Sequence, residues 1–114
     1  MDDNQQKWLD AWRAMSTAVH ETAVSKGWWD EPRSDGECIA LMHSELSEAL
    51  EACRENNPSS DKLPAFSWAE EEFADVIIRL MDFAMAKKFR LAEAVIAKAQ
   101  FNKGRPYRHG GKKF

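Results

Sequence analysis

The stretch CIALMHSELSEALEAC, residues 38–53, decides the fold. At about 100° per residue it winds Cys38, Ile39, Leu41, Met42, Leu46, Ala49, Leu50 and Cys53 onto one arc, the pattern of an amphipathic helix. Glu45 falls in the middle of that arc, between Leu41 and Ala49, and Glu48 lies at its edge. A helix that aims carboxylates toward its own core needs a reason.

On either side of this helix, about residues 36–56, the periodicity gives three more. The first, about 4–26, carries Trp8, Trp12, Met15, Val19 and Ala23 at heptad-like spacing and stops at Gly27. Trp8 and Trp12 read as core or subunit contacts. The loop GWWDEPRSDG, 27–36, follows, with Asp35 placed to cap the second helix. After the loop NNPSSDKLP, 56–64, Ser67 and Glu70 have capping-box spacing and start a third helix that runs to about Lys87. A fourth, about 90–103, ends at Gly104. No strand pattern, internal repeat or low-complexity tract is present, so the expected fold is all-α, a four-helix-bundle-like domain over 1–103 with a basic, Gly-containing tail over 104–114.

A chain of 114 residues with 44% hydrophobic content suits one domain, and a helical domain this small often needs a second subunit to complete its core. The formal charge of −3 argues against a nucleic-acid partner, since the only basic concentration is the last ten residues. No apolar run nears the roughly 18 residues of a membrane span, and the N-terminus lacks signal-peptide character. Cys38 and Cys53 sit on one helix about 22 Å apart, too distant to bridge each other, and read as reduced core residues. A soluble, cytoplasmic, unprocessed protein with no membrane partner is expected.

The oddity of residues 38–53 recurs on the third helix. Phe73, Val76, Ile77, Leu80, Phe83 and Ala84 form a broad apolar face, and a second stripe of Glu72, Asp75, Arg79 and Asp82 runs against it, bordered by Val76 and Ile78. Such a stripe is too narrow to be an ordinary solvent face. Any single acid at the margin of an apolar stripe is readily explained by snorkelling. The pairs Glu45/Glu48 and Glu72/Asp75 are harder to dismiss, because three-residue spacing puts both members of a pair on one face. If the helices pack antiparallel, four acids converge, and burying them without a counter-charge costs several kcal/mol each, against a typical domain stability of roughly 5–15 kcal/mol. A hard divalent cation is the simplest occupant: Mg²⁺ prefers carboxylate oxygens and shares them with substrate phosphates. Zinc and ferritin-like redox centres are disfavoured, because no cysteine or histidine accompanies the acids at a ligand spacing. His20, His43 and His109 read as surface or tail residues.

With E45-x-x-E48, twenty-three intervening residues and E72-x-x-D75 in place, the chain resembles the MazG-like all-α nucleoside triphosphate pyrophosphohydrolases. The likeness runs through HSELSEALEACR, EEEFADVIIRLMD and NKGRPYRHGGK, covering nearly the whole chain; FRLAEA, 89–94, departs from the expected cap before the fourth helix. The resemblance implies a MazG-type helical domain completed by dimerisation or tetramerisation. It implies Mg²⁺, with Mn²⁺ as substitute, held by Glu45, Glu48, Glu72 and Asp75, and hydrolysis of (d)NTP to (d)NMP and pyrophosphate. It also assigns Lys98 and Asn102, on one stripe of the fourth helix, to the phosphates or the nucleotide.

Metal-assisted attack of water at the α-phosphorus is the expected chemistry, with Glu45 or Glu48 orienting or deprotonating the water. Arg79 has two readings of equal weight, a phosphate contact or an intrahelical pair with Asp75 or Asp82. Trp28 and Trp29 are adjacent in a loop; one of them, with Trp29 as candidate, could stack on a base, and the alternative is that they cover the bundle end. The basic tail reads as a solvated extension or, in an oligomer, as a reach to a neighbouring subunit's phosphate site, with Arg105 and Arg108 as the candidates. A non-catalytic nucleotide- or metal-sensing bundle acting through a partner is the competing function.

Overall fold

The computed structural model describes residues 1–107 and contains four helices and no strand among them. Helix α1 spans Asp3–Ser25 and begins in a reciprocal cap: Asp2 accepts the Gln5 amide at 2.8 Å while the Gln5 side chain accepts the Asp2 amide at 2.9 Å. Gly27 ends the segment at φ +85°, a conformation that costs glycine little; a Cβ there would stand 3.0 Å from a carboxylate oxygen of Asp30.

Helix α2, Asp35–Arg54, is capped by Ser34, whose hydroxyl accepts the Glu37 amide at 3.1 Å. Asp35, the expected cap, instead lies in the first turn with Glu37, where the positive end of the helix favours acids. Asn56 and Asn57 then take left-handed φ values of 63° and 49°, and the Asn57 side chain accepts the Ala69 amide at 2.8 Å. Helix α3, Trp68–Lys87, starts in the expected Ser67/Glu70 capping box. Helix α4, Leu91–Lys103, has no side-chain cap, in keeping with the irregular sequence FRLAEA.

Helix α3 is the hub, packed against both α2 and α1, while α4 leans on α1 through the Arg13–Glu93 ion pair at 2.7 Å. Contacts at opposite ends fix the α2–α3 pair as antiparallel: Asp35, at the start of α2, pairs with Lys87, at the end of α3, and Asn57, beyond the end of α2, meets Ala69, near the start of α3. Ala49 and Ala52 on α2 and Ala69 on α3 are buried, and small side chains there let the two backbones approach closely.

The core is thin. Cys38, Met42 and Phe83 form its centre with Trp29 and Leu80 packed against them. No large side chain among the described residues is less than 2% exposed. The radius of gyration, 16.7 Å, exceeds the roughly 13 Å usual for about 100 residues.

Two expectations about faces are corrected here. Cys53 is exposed, unlike the buried Cys38. On α3 the polar stripe is enclosed as its narrowness implied, with Glu72 buried and Asp75, Arg79 and Asp82 half-buried; of the expected core face Phe83 and Ala84 are buried, whereas Phe73 and Ile77 point out. Apolar residues remain uncovered on both helices: α3 meets α2 and α1, yet Ile39, Leu46 and Leu50 on α2 and Phe73 and Ile77 on α3 stay exposed among the described residues. No helix among the described residues is long and apolar enough to cross a membrane.

Candidate metal and nucleotide site

Antiparallel packing delivers the convergence that the acid spacing requires. Glu45, on the arc between Leu41 and Ala49, faces α3, where Glu72 and Asp75 lie one turn apart. One carboxylate oxygen from each of the three lies within 4.8 Å of the others. Three oxygens bound to one Mg²⁺ at about 2.1 Å stand roughly 3–4.2 Å apart, so a small contraction adapts this group to such an ion. The donors are all hard carboxylate oxygens, and they fit Mg²⁺ or Mn²⁺.

Electrostatics mark the same point. Burial, then contact with Glu45 and repulsion from Glu45, Asp75 and Glu71, push the Glu72 carboxyl up to about 7. Burial and the charges of Glu45 and Glu71 also raise Asp75, partly offset by Arg79 and Lys62. Glu72, only 7% exposed, has no ion pair and receives no N–H hydrogen bond among the described residues.

Arg79 does not make the intrahelical hydrogen-bonded pair expected of its second reading. Its Nε and Nη2 donate to Glu45 Oε1 at 3.2 and 3.0 Å, so its partner is across the helix pair and not along α3. Asp82 is engaged elsewhere: it accepts the Trp29 indole N–H at 2.9 and 3.0 Å, and His20 Nδ1 lies 2.7 Å from it.

A cavity of about 240 Å³ opens beside the acids between α1, the 27–34 loop and α3. Its wall includes the acids Glu45, Asp75 and Asp82 and the cations Lys26, Arg33 and Arg79, with Trp28, Val19 and Ile78 supplying apolar surface. Trp28 is 50% exposed and flanked by two guanidinium groups, Arg33 at 5.1 Å and Arg79 at 5.9 Å from its ring centre. A larger cavity, about 420 Å³, lies between α1 and the α3–α4 corner, but it contains none of these acids and is walled mainly by residues such as Trp12, Met81 and Phe89. Chemistry, not size, selects the smaller one.

Comparison with protein-family models, characterised proteins and solved structures finds no significant match. The reading of the site therefore stands on its geometry and on the motif resemblance.

Of the residues singled out in the sequence, Glu45, Glu72, Asp75 and Arg79 come together. Glu48 is exposed and lies outside the three-acid group. Trp29 has its indole N–H held by Asp82 and its ring packed against the Cys38–Met42–Phe83 core, and Trp28 is the exposed ring at the cavity. Lys98 and Asn102 are exposed on α4, which packs on α1, and the chain does not bring them to the acids; Lys98 instead sits 4.7 Å over the Phe101 ring. Arg105 rests 5.7 Å from the same ring, and Arg108 lies outside the described residues. Sequence reasoning missed Lys26 and Arg33 as cavity cations. It also passed over His20, whose half-buried pairing with Asp82 removes it from the ordinary surface. Arg33 had one available signal, a cation in a turn-rich loop beside two tryptophans.

Proposed function

We propose that this chain is a Mg²⁺-dependent nucleotide pyrophosphohydrolase of the MazG type, converting (d)NTP to (d)NMP and pyrophosphate. One observation carries the reading: a single cavity is lined by Glu45, Asp75 and Asp82 together with Lys26, Arg33 and Arg79, and two of its acids converge with Glu72, a mixture of charges that suits a metal–triphosphate. Glu45, Glu72 and Asp75 hold the metal, which when bound neutralises phosphate charge and acidifies a coordinated water. Glu48, one turn from Glu45 and outside the three-acid group, is the free carboxylate that accepts the proton of the attacking water. Lys26, Arg33 and Arg79 steady the phosphates and the charge that develops on the departing pyrophosphate. Trp28 offers its face to the base.

The working form in this reading is a homodimer or homotetramer. The exposed Ile39, Leu46 and Leu50 on α2 and Phe73 and Ile77 on α3, each 44–53% exposed, support it, together with the absence of a sealed core. Assembly also offers Lys98, Asn102 and the tail arginines a route to a neighbouring site.

A panel of ribo- and deoxyribonucleoside triphosphates with Mg²⁺ tests the reading. Pyrophosphate as the primary product is expected. Orthophosphate as the primary product moves the attack to the γ position, and binding without turnover favours a sensor.

A further inference from the structure

Three carboxylates and one guanidinium share the α2–α3 groove, and the guanidinium is committed to a single oxygen. Arg79 points two N–H groups at Glu45 Oε1, although Asp75 is one turn away on its own helix. Glu72, more than nine-tenths buried, faces the same space with no N–H donor and no cation of its own, its contact being the Glu45 carboxylate. The groove thus holds one resident positive charge for three acids, and a buried carboxylate without a cation.

The position of Arg79 adds a second constraint. Its side chain is 28% exposed and its guanidinium lies 5.9 Å from the Trp28 ring, so it spans from the acidic group to the wall of the cavity. An ion shared by Glu45, Glu72 and Asp75 draws on the carboxylate that Arg79 now holds, and two cations so close repel each other. The same forked donor set suits phosphate oxygens better than a lysine would.

We propose that Arg79 is a displaceable internal cation: it occupies Glu45 in the metal-free protein, yields that carboxylate to a divalent metal, and turns its freed donors to the phosphates of a nucleotide in the Trp28 cavity. This rests on the metal-dependent reading above. It makes metal and phosphate binding linked events, since the ion that enters the acidic group releases the group that receives the triphosphate. One substitution then acts with opposite signs. Without Arg79 the metal has no competitor and binds tighter, while phosphate loses its partner and binds weaker. An ion pair with no phosphate role tightens the metal on removal through lost repulsion but leaves phosphate binding unchanged, so the two opposite shifts together mark the switch.

The test is calorimetric titration of Mn²⁺ into the wild-type protein, Arg79→Met and Arg79→Lys, followed by inorganic tripolyphosphate at saturating Mn²⁺. Arg79→Met is expected to tighten Mn²⁺ about tenfold and to weaken tripolyphosphate at least tenfold. Arg79→Lys, which keeps the charge but loses the fork, is expected to shift both in the same directions by a smaller factor, and it carries the test if the methionine variant fails to fold. Mg²⁺ alone should change tryptophan emission in the wild type and not in Trp28→Phe. Mn²⁺ binding to the wild type with unchanged or weaker binding to both Arg79 variants overturns the switch and leaves the metal reading intact. No Mn²⁺ binding by any of the three proteins overturns both.

Discussion

Replacing Glu72 by Gln should make this protein more stable at pH 8 and leave it unchanged at pH 5, with metal removed by a chelator. In the folded chain the Glu72 carboxyl is pushed up to about 7 from an ordinary 4.5, chiefly by burial. Between those two values the folded state keeps a proton that the unfolded chain has released, so stability falls as pH rises through the window and levels off above it. At about 1.4 kcal/mol per pH unit the gap amounts to roughly 3 kcal/mol, a large share of the roughly 5–15 kcal/mol available to a domain. The raised Asp75 carboxyl adds to the same slope. Glutamine keeps the volume of the protonated acid and never ionises, so it removes the Glu72 part of the slope. Urea unfolding at several pH values between 5 and 8 measures this; with a slope of about 1–3 kcal/mol per molar urea, the wild-type midpoint should drop by on the order of 1–2 M and the variant's by much less. Wild-type stability that holds level or rises from pH 5 to 8 refutes the assignment of a buried, proton-holding carboxyl to the α2–α3 groove. An identical slope in the variant refutes Glu72 as its source.

Asp75→Asn removes one of three converging oxygens' charge without changing volume, so kcat should fall at least 100-fold while the helical circular dichroism spectrum stays the same; near wild-type turnover ends the ligand assignment. Trp28→Ala should raise KM about tenfold or more with kcat little changed, as expected for a lost stacking face, and equal KM values exclude that role. Trp29→Phe should do the reverse, leaving KM alone and lowering stability by roughly 1–3 kcal/mol, because Asp82 loses an N–H donor in a part-buried position. The double variant Leu50→Glu/Ile77→Glu should sediment as a monomer where the wild type sediments as a dimer or larger, and unchanged sedimentation removes those faces from the interface.

The sequence was a good guide to what local rules govern. Helix limits agree to within a residue or two because caps and breakers act over one turn: the Ser67/Glu70 box, the Asn56–Asn57 stop and Gly27 all lie where their chemistry requires. Even the Asp35 error was a displacement of one position between two good capping residues. Convergence of Glu45, Glu72 and Asp75 was legible because it needed only helical spacing and antiparallel packing. The exposure of Phe73 and Ile77 on α3 was not legible. Periodicity separates a helix into two faces, but which face turns inward depends on where α1 and α2 settle, and a chain that leaves apolar surface uncovered defeats the rule that oily faces point in. Loop geometry hid the rest: adjacent tryptophans are equivalent on paper, and only the path from Gly27 to Ser34 sends Trp29 to Asp82 and Trp28 to the cavity. Lys98 and Asn102 were placed by a motif that does not specify against which helix α4 packs.

The outward turn of Phe73 and Ile77 has a practical corollary. If these faces meet in the proposed oligomer, separating the copies exchanges a dry neighbour for water along two helices at once. Dilution should act on this chain as a denaturant, with the unfolding midpoint sliding downward as protein concentration is lowered.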